Sequence, residues 1–565
     1  MDLYLIIVII MLALAVSGLV VGVANDAVNF LNSALGSKAA PRYVIMTVAS
    51  VGIIVGAITS NGMMEVARSG VFHPEMFTFA EVMLLFLAVM FTNVILLDIF
   101  NTLGMPTSTT VSLVFGLLGA AVGISIFKIA NDALVTLPDG SLATMADMIN
   151  TGNAMAIIGG ILISVVIAFV CGTVVMYITR LIFSFRYQSK LKSYGAVWCG
   201  IALTAISYFA VFKGLKGTQV IPADWMSWME GHIPMMLGGL LVGWSLIMSI
   251  LSMLKVNILR ITVLAGTFSL ALAFAGNDLV NFIGVFVAGV DAYDIVRTTG
   301  DTNMLMGGLN DPVVANLLIL FLSGAVMVVT LWFSKKAQSV SDTEINLARQ
   351  DVGVERFGST SASRAIVRAT INCNKNYEKY TPERIQRFIA SRFVPVANAK
   401  DKAPFDLIRA TVNLTVASLL ISMATSLQLP LSTTYVTFMV AMGSSLSDRA
   451  WGRESAVYRI TGVLTVIAGW FFTALVAFTV SFAVAVLLMW GGVFAVAGLS
   501  VLCCYLMIRS TKAHNRKLKR EAEKQAEHKA VTDESSIVDR SVREITEMMN
   551  KVTTIYNQTL IGLFN

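Results

Sequence analysis

The chain has 565 residues, is 56% hydrophobic and only 13% charged, and carries a formal charge of +7. That balance excludes a soluble enzyme and describes a polytopic membrane protein. The positive excess reads as basic inner loops against anionic lipid, not as a nucleic-acid surface.

Apolar runs of membrane length give thirteen expected crossings, near 3–24, 43–62, 79–98, 105–127, 152–183, 196–213, 233–254, 260–290, 312–334, 407–428, 430–446, 456–488 and 489–509. The first, Leu3 to Val23, lacks a basic leader and a clear cleavage signal and reads as a retained span. The fourth and eleventh are rich in Gly, Ser and Thr and suit re-entrant segments as well as full spans. Five cysteines (Cys171, Cys199, Cys373, Cys503 and Cys504) are scattered or adjacent and form no disulfide framework or zinc pattern.

Loop charge orients these runs. The loops 184–195 and 335–405 and the start of the tail are rich in Lys and Arg and are expected inside. The loops 128–150 and 291–311 are acidic and are expected outside, which puts the N-terminus outside and the C-terminus in the cytoplasm of a plasma (inner) membrane protein. The expected fold class is an all-α polytopic membrane protein of two inverted-topology repeats, with discontinuous helices and re-entrant segments. The domain plan is 1–183 for the first repeat, 184–259 for connecting transmembrane helices, 260–334 for the first part of the second repeat, 335–405 for a cytoplasmic insert, 406–510 for the second part of that repeat, and 511–565 for a cytoplasmic helical tail. Glu383 to Phe393 suits a short amphipathic helix. The tail reads as a helix from Lys512 to Lys529, a polar break, and a second helix over about 538–563.

Two motifs occur twice. Asn25-Asp26-Ala27-Val28-Asn29-Phe30 and Asn277-Asp278-Leu279-Val280-Asn281-Phe282 share the pattern N-D-x-V-N-F, 252 positions apart. An aspartate inside hydrocarbon costs roughly 2.5–3.5 kcal/mol even on insertion scales, so two copies mark function. Pro106-Thr107-Ser108-Thr109-Thr110 and Pro430-Leu431-Ser432-Thr433-Thr434 share P-x-S-T-T. Asn25 lies 81 positions before Pro106 and Asn277 lies 153 before Pro430, an excess of 72; the charged insert is 71 residues long. Without it the two halves keep one spacing.

Each motif has its own chemistry. A proline at a helix start followed by hydroxyls, with unsatisfied first-turn amides, makes an anion site. On a helix, Asp26 and Asn29 are i,i+3 neighbours and Asn25 and Asn29 are i,i+4. One face then carries a carboxylate and two amide oxygens, and with unwound main-chain carbonyls it would suit sodium. No Lys or Arg occurs between Arg68 and Lys128, Arg260 and Arg297, or Arg409 and Arg449. A dianion beside two acids needs compensation, and helix starts provide only about half a charge each. Mobile cations are therefore expected at the site, which favours cation-coupled symport over an anion channel. Glu65, Glu81 and Asp98 read as membrane-edge carboxylates, with Glu81 or Asp98 the alternative proton or second sodium positions; Asn93 and Asn101 share that ambiguity. No nucleotide-binding or catalytic constellation is present, so an enzyme or ATP-driven pump is not expected.

At these residues the chain resembles the inorganic phosphate transporter family, which has a duplicated G-A-N-D-x-A-N signature, a P-x-S-T-T-type segment in each inverted half, and a large cytoplasmic insert in the second. The resemblance covers roughly 1–510. Here Val23 and Ala275 replace the motif glycine, and Val28 and Val280 replace the later alanine. The resemblance implies sodium- or proton-coupled phosphate uptake with no bound cofactor. By matching position Ser108, Thr109, Thr110, Ser432, Thr433 and Thr434, with Asn25 and Asn277, would bind phosphate, and Asp26, Asn29, Asp278 and Asn281 would hold the metal ion. The expected partners are phosphate, sodium and the lipid bilayer, with a homodimer and a regulator at the insert or tail left open. A sulfate carrier of the same frame, and a membrane sensor or scaffold, are the alternatives.

Overall fold

The computed structural model describes residues 2–103, 107–137, 140–208, 223–311, 313, 315–334, 337, 345, 360–394, 403–427, 429–448, 453–530, 545–546, 548–553 and 556. Among these the chain is almost wholly helical, with isolated β-bridges only. It forms two compact units, Met1–Cys504 and Tyr505–Asn565.

The main helices are α1 (Asp2–Gly36), α2 (Arg42–Ile58), α3 (Phe79–Leu103), α4 (Thr109–Ala130), α5 (Thr151–Ile182), α6 (Gln188–Ile206), α7 (Ile233–Met253), α8 (Ile258–Leu279), α9 (Val285–Thr299), α10 (Leu317–Phe333), α11 (Ser361–Tyr380), α12 (Glu383–Arg392), α13 (Leu407–Ser426), α14 (Thr433–Ser447) and α15 (Arg453–Ala530). Among the described residues eight helical runs are long and apolar enough to cross a membrane, and α2 and α10 are shorter apolar helices. The chain is therefore a multi-pass integral membrane protein. Its outer faces carry exposed leucine, isoleucine, valine and phenylalanine, such as Ile9, Ile163, Val166 and Phe494, as lipid-facing positions should.

The expected thirteen crossings are thus redistributed. The run 260–290 extends through α8 and α9 as one span, Ile258–Thr299. The runs 456–488 and 489–509 are two helical stretches that meet at a kink at Gly492, a few residues past the expected boundary; its φ of 51° and ψ of −131° need a residue without Cβ. The expected tail helix, Lys512–Lys529, is helical and falls within α15. The run 430–446 becomes α14, whose 15 residues reach about 22 Å, short of a bilayer core of about 30 Å. α4, at 22 residues, is long enough to span by itself. The insert holds the expected amphipathic helix as α12, and also α11, which periodicity did not single out. The second tail helix falls mostly outside the described residues.

Contacts sort the loops into two ends. At one end Tyr4 lies against Phe79, the His73 amide donates to Met148 O, and the Phe79 amide donates to Met304 O. The two acidic loops therefore meet there. At the other end Phe405 packs against Gly36, Tyr177 stacks on Phe393, and Arg180 pairs with Asp406 and Asp448. The basic loop after α5 and the returning end of the insert share that end. α1 runs from the acidic end to the basic end. α8 starts at the basic end, where Ile258 meets Gly195, and α9 reaches the acidic end, where Arg68 pairs with Asp291. The two N-D helices thus run in opposite directions.

Close backbone approach at glycine sets the packing. A Cβ at Gly52 or Gly56 of α2 would stand 2.5 or 2.3 Å from the Phe268 or Leu272 carbonyl of α8. A Cβ at Gly172 of α5 would meet Val440 O of α14 at 2.6 Å, and one at Gly443 of α14 would meet Phe169 O of α5 at 2.3 Å. Gly119 and Gly123 of α4 likewise abut Phe478 O and Phe482 O of α15. Each P-x-S-T-T helix is therefore clamped by a long helix from the other half of the chain.

Candidate functional site

The four motif segments converge. α4 and α14 start at Thr109 and Thr433, and Ser108 and Ser432 cap them, their hydroxyl oxygens accepting from Val111 N (3.1 Å) and Tyr435 N (3.2 Å). The first intrahelical bonds run from Ser112 N to Ser108 O and from Val436 N to Ser432 O. The amides of Thr109, Thr110, Thr433 and Thr434 thus lie ahead of the first intrahelical bond, at the positive end of each helix. Serine is a favoured capping residue, while Pro430 lies two residues ahead of its cap and so outside the first helical turn.

Asp26 and Asp278 sit between these starts, both wholly buried. Asp26 accepts from Asn25 (2.8 Å), from Thr109 (3.0 Å) and from Thr434 (3.0 Å). Asp278 accepts from Asn277 (2.7 Å), Asn281 (3.2 Å), Thr110 (3.4 Å) and Thr433. Each aspartate therefore takes one threonine from its own half and one from the other. The asparagines repeat the pattern. Asn25 ties its segment to Thr107 O (2.7 Å) and Asn277 to Leu431 O (2.8 Å). Asn29 donates to Thr433 and Thr434 (3.2 and 3.1 Å), and Asn281 donates to Thr109 and Thr110 (3.1 and 2.9 Å). These bonds correspond between the two halves, while others do not: Asn29 Oδ1 also takes the Thr437 hydroxyl and Leu431 O also takes the Thr110 hydroxyl.

The structure thus brings all twelve sequence-selected residues to one place but divides their work. Ser108 and Ser432 are capping residues first. Asn25 and Asn277 brace the helix starts. The hydroxyls of Thr109, Thr110, Thr433 and Thr434 and the carboxylates of Asp26 and Asp278 form the polar centre. The backbone differs from the irregular one expected at the N-D segments: α1 is unbroken through 25–30, and only the second copy departs from α geometry, in a π-turn at Val280–Gly284. The discontinuity lies at the P-x-S-T-T starts instead.

No ion pair to Asp26 or Asp278 occurs among the described residues. The buried bases are used elsewhere. Lys128 pairs with Glu81 at 2.8 Å, Arg68 with Asp291 at 3.4 Å, and Arg180 and Arg409 with Asp448. The centre therefore has two acids, neutral donors and two helix starts, a donor set of hard oxygens that fits an alkali cation and of O–H and N–H groups that fits an oxyanion. Glu81 is occupied by Lys128, which favours the structural reading of that carboxylate. Sequence reasoning missed Thr437, whose hydroxyl donates to Asn29 Oδ1 (3.3 Å), and Thr425, which reaches Asn277 Oδ1 (3.5 Å). Thr437 lies one turn after Thr433, a spacing visible in the sequence; Thr425 carried no signal.

Residues 22–337 match the sequence profile of the phosphate transporter family. A protein of Thermococcus kodakarensis, provisionally named a phosphate permease, is 25% identical over 200 residues, or 35% of this chain and 45% of that protein. The chain thus matches less than half the length of that relative. A solved structure titled "The sodium-dependent phosphate transporter" superposes with a TM-score of 0.60 at 16% identity, over 85% of this chain and 98% of that one. At that identity the likeness shows a shared fold.

Proposed function

Since this chain belongs to the phosphate transporter family, we propose that it is a secondary carrier of inorganic phosphate, driven by sodium through alternating access around the centre of Asp26 and Asp278. The observation that carries this reading is the pair of buried acids, met only by neutral donors, at two opposed helix starts. Phosphate beside two carboxylates is prohibitive without positive charge. Among the described residues no basic side chain provides it, so on this reading cations enter with the anion.

The threonines make the coupling specific. With no cation, their hydroxyls donate to the carboxylates. A sodium ion on the same carboxylate oxygens takes over that neutralisation. The hydroxyl hydrogens are then free to donate to phosphate, together with the first-turn amides. Cation and anion thus favour each other's binding through the same four side chains, which is the differential contact that coupling requires. The opposite run of α1 and α8, the cross-half clamps and the matching threonine–aspartate bonds support an inverted-repeat carrier, with its site where the halves meet.

The test is labelled phosphate uptake by proteoliposomes of the full chain. Uptake should need an inward sodium gradient and should fall by about tenfold or more in Asp26→Asn and in Asp278→Asn, since bonds to charged groups contribute roughly 1.5–3 kcal/mol. Full uptake without sodium under a pH gradient would overturn sodium coupling. Equal displacement by sulfate at acid and alkaline pH would overturn phosphate as the substrate.

A further inference from the structure

Beside the carboxylate centre lies a second polar feature that the exchange of hydroxyl bonds does not use. Asn93 of α3 is 7% exposed, and its Nδ2 donates to Asn281 O at 3.0 Å. That bond fixes the amide's orientation, because a flip would set oxygen against oxygen. Its Oδ1 is then a buried acceptor with no hydrogen-bond partner. Asn281, 3% exposed, gives its Nδ2 to Thr109, Thr110 and Asp278. Its orientation is fixed as well, and its Oδ1 is also buried without a partner. Both residues line one small cavity of about 10 Å³, otherwise walled by apolar side chains such as Leu14, Leu113 and Val285. That is room for one water-sized particle. Two unsatisfied acceptors on one cavity are not explained by packing.

The other half has no such feature. The counterpart of Asn281 is Asn29, whose Oδ1 takes the Thr437 hydroxyl at 3.3 Å. At the position matching Thr437 the first P-x-S-T-T helix carries Leu113, which has no donor. α1 is regular at Asn29, whereas Asn281 lies in the π-turn Val280–Gly284. Such turns recur at functional sites because they break the regular main-chain bonding.

We propose that Asn93 Oδ1 and Asn281 Oδ1 bind a monovalent alkali cation at a site that Asn281 has and its counterpart Asn29 lacks. Two acceptors on one water-sized space call for a water or a cation, and the adjoining Asp278 carboxylate favours the cation. Neutral oxygen ligands favour a hard ion of single charge, since a divalent one would need carboxylates of its own. Asp278, bonded to the same Asn281 side chain, is the nearest negative charge. Occupancy here therefore orients Asn281 and, through it, Thr109, Thr110 and Asp278. The inference rests on the cation-coupled reading of that centre for its role, but its existence is tested without transport.

The experiment uses thallium(I) as probe, with crystals of the full chain grown without phosphate. Anomalous density should appear between Asn93 and Asn281 in addition to any at the two aspartates. In lipid nanodiscs without phosphate, sodium titration should show one fewer ion bound in Asn93→Leu, and about tenfold tighter binding in Asn93→Asp, where a carboxylate replaces the amide. Density only at the aspartates, a water that does not scatter anomalously, or unchanged sodium stoichiometry in folded Asn93→Leu overturns the proposal. If thallium binds here but phosphate uptake fails, the carrier reading falls and this site remains.

Discussion

Asn25 and Asn277 each do two things with one amide. Each holds the neighbouring carboxylate and each braces the helix start opposite, through Thr107 O or Leu431 O. Alanine at either position leaves the aspartate short of one bond, and at 25 it also strands the buried Thr107 carbonyl, whereas the Leu431 carbonyl keeps the Thr110 hydroxyl at 3.1 Å. The cost is about 1–3 kcal/mol for the stranded group. Because only Thr107 O loses its donor, Asn25→Ala should lower phosphate affinity by between about fivefold and 150-fold and Asn277→Ala by less. Binding titrations of the two variants side by side check this; an equal or larger loss in Asn277→Ala would show that the stranded carbonyl does not decide the effect.

The helices that carry the hydroxyls are positioned from behind. α14 is too short to span and has its place set by α5, through two glycines that let main chains touch. Gly443→Ala puts a Cβ 2.3 Å from where Phe169 O lies, so α14 must shift. Overpacking of this kind costs typically 1–3 kcal/mol. The same substitution at Gly159 of α5 meets nothing within 4 Å and serves as the control. Thermal unfolding in detergent should fall clearly for Gly443→Ala and stay near the wild type for Gly159→Ala. Loss of stability in both would mean that helix propensity, not the close approach, governs this pair.

At the scale of the molecule, the acidic loops gather at one end and the basic ones at the other. The positive-inside rule then predicts that the acidic end faces out. In a background lacking the native cysteines, Asn303→Cys should react with a membrane-impermeant maleimide on intact cells. Ser391→Cys should react only after permeabilisation; both positions are exposed. The reverse labelling would invert the whole assignment, including the placement of the insert. The buried ion pairs fit the same polarity: Lys128 with Glu81 secures α4 at the acidic end, and Asp448 with Arg180 and Arg409 secures α14 at the basic end.

The polar centre was legible in the sequence because burying charge is costly. Aspartate in an apolar run, twice, with hydroxyl-rich helix starts at matched spacing, has few physical explanations, and the structure brings those same residues together. Crossing count was less legible, since an apolar run such as 430–446 does not reveal that its helix, α14, has only 15 residues and is too short to span. Local composition determined that the chain lives in a membrane and which polar side chains gather at its centre. Tertiary structure decided the rest. It crossed each threonine pair between halves, left Ser108 and Ser432 as caps, and stranded the acceptors of Asn93 and Asn281. Those outcomes depend on which helices touch, and hydrogen bonds between residues hundreds of positions apart have no periodicity for a sequence to display.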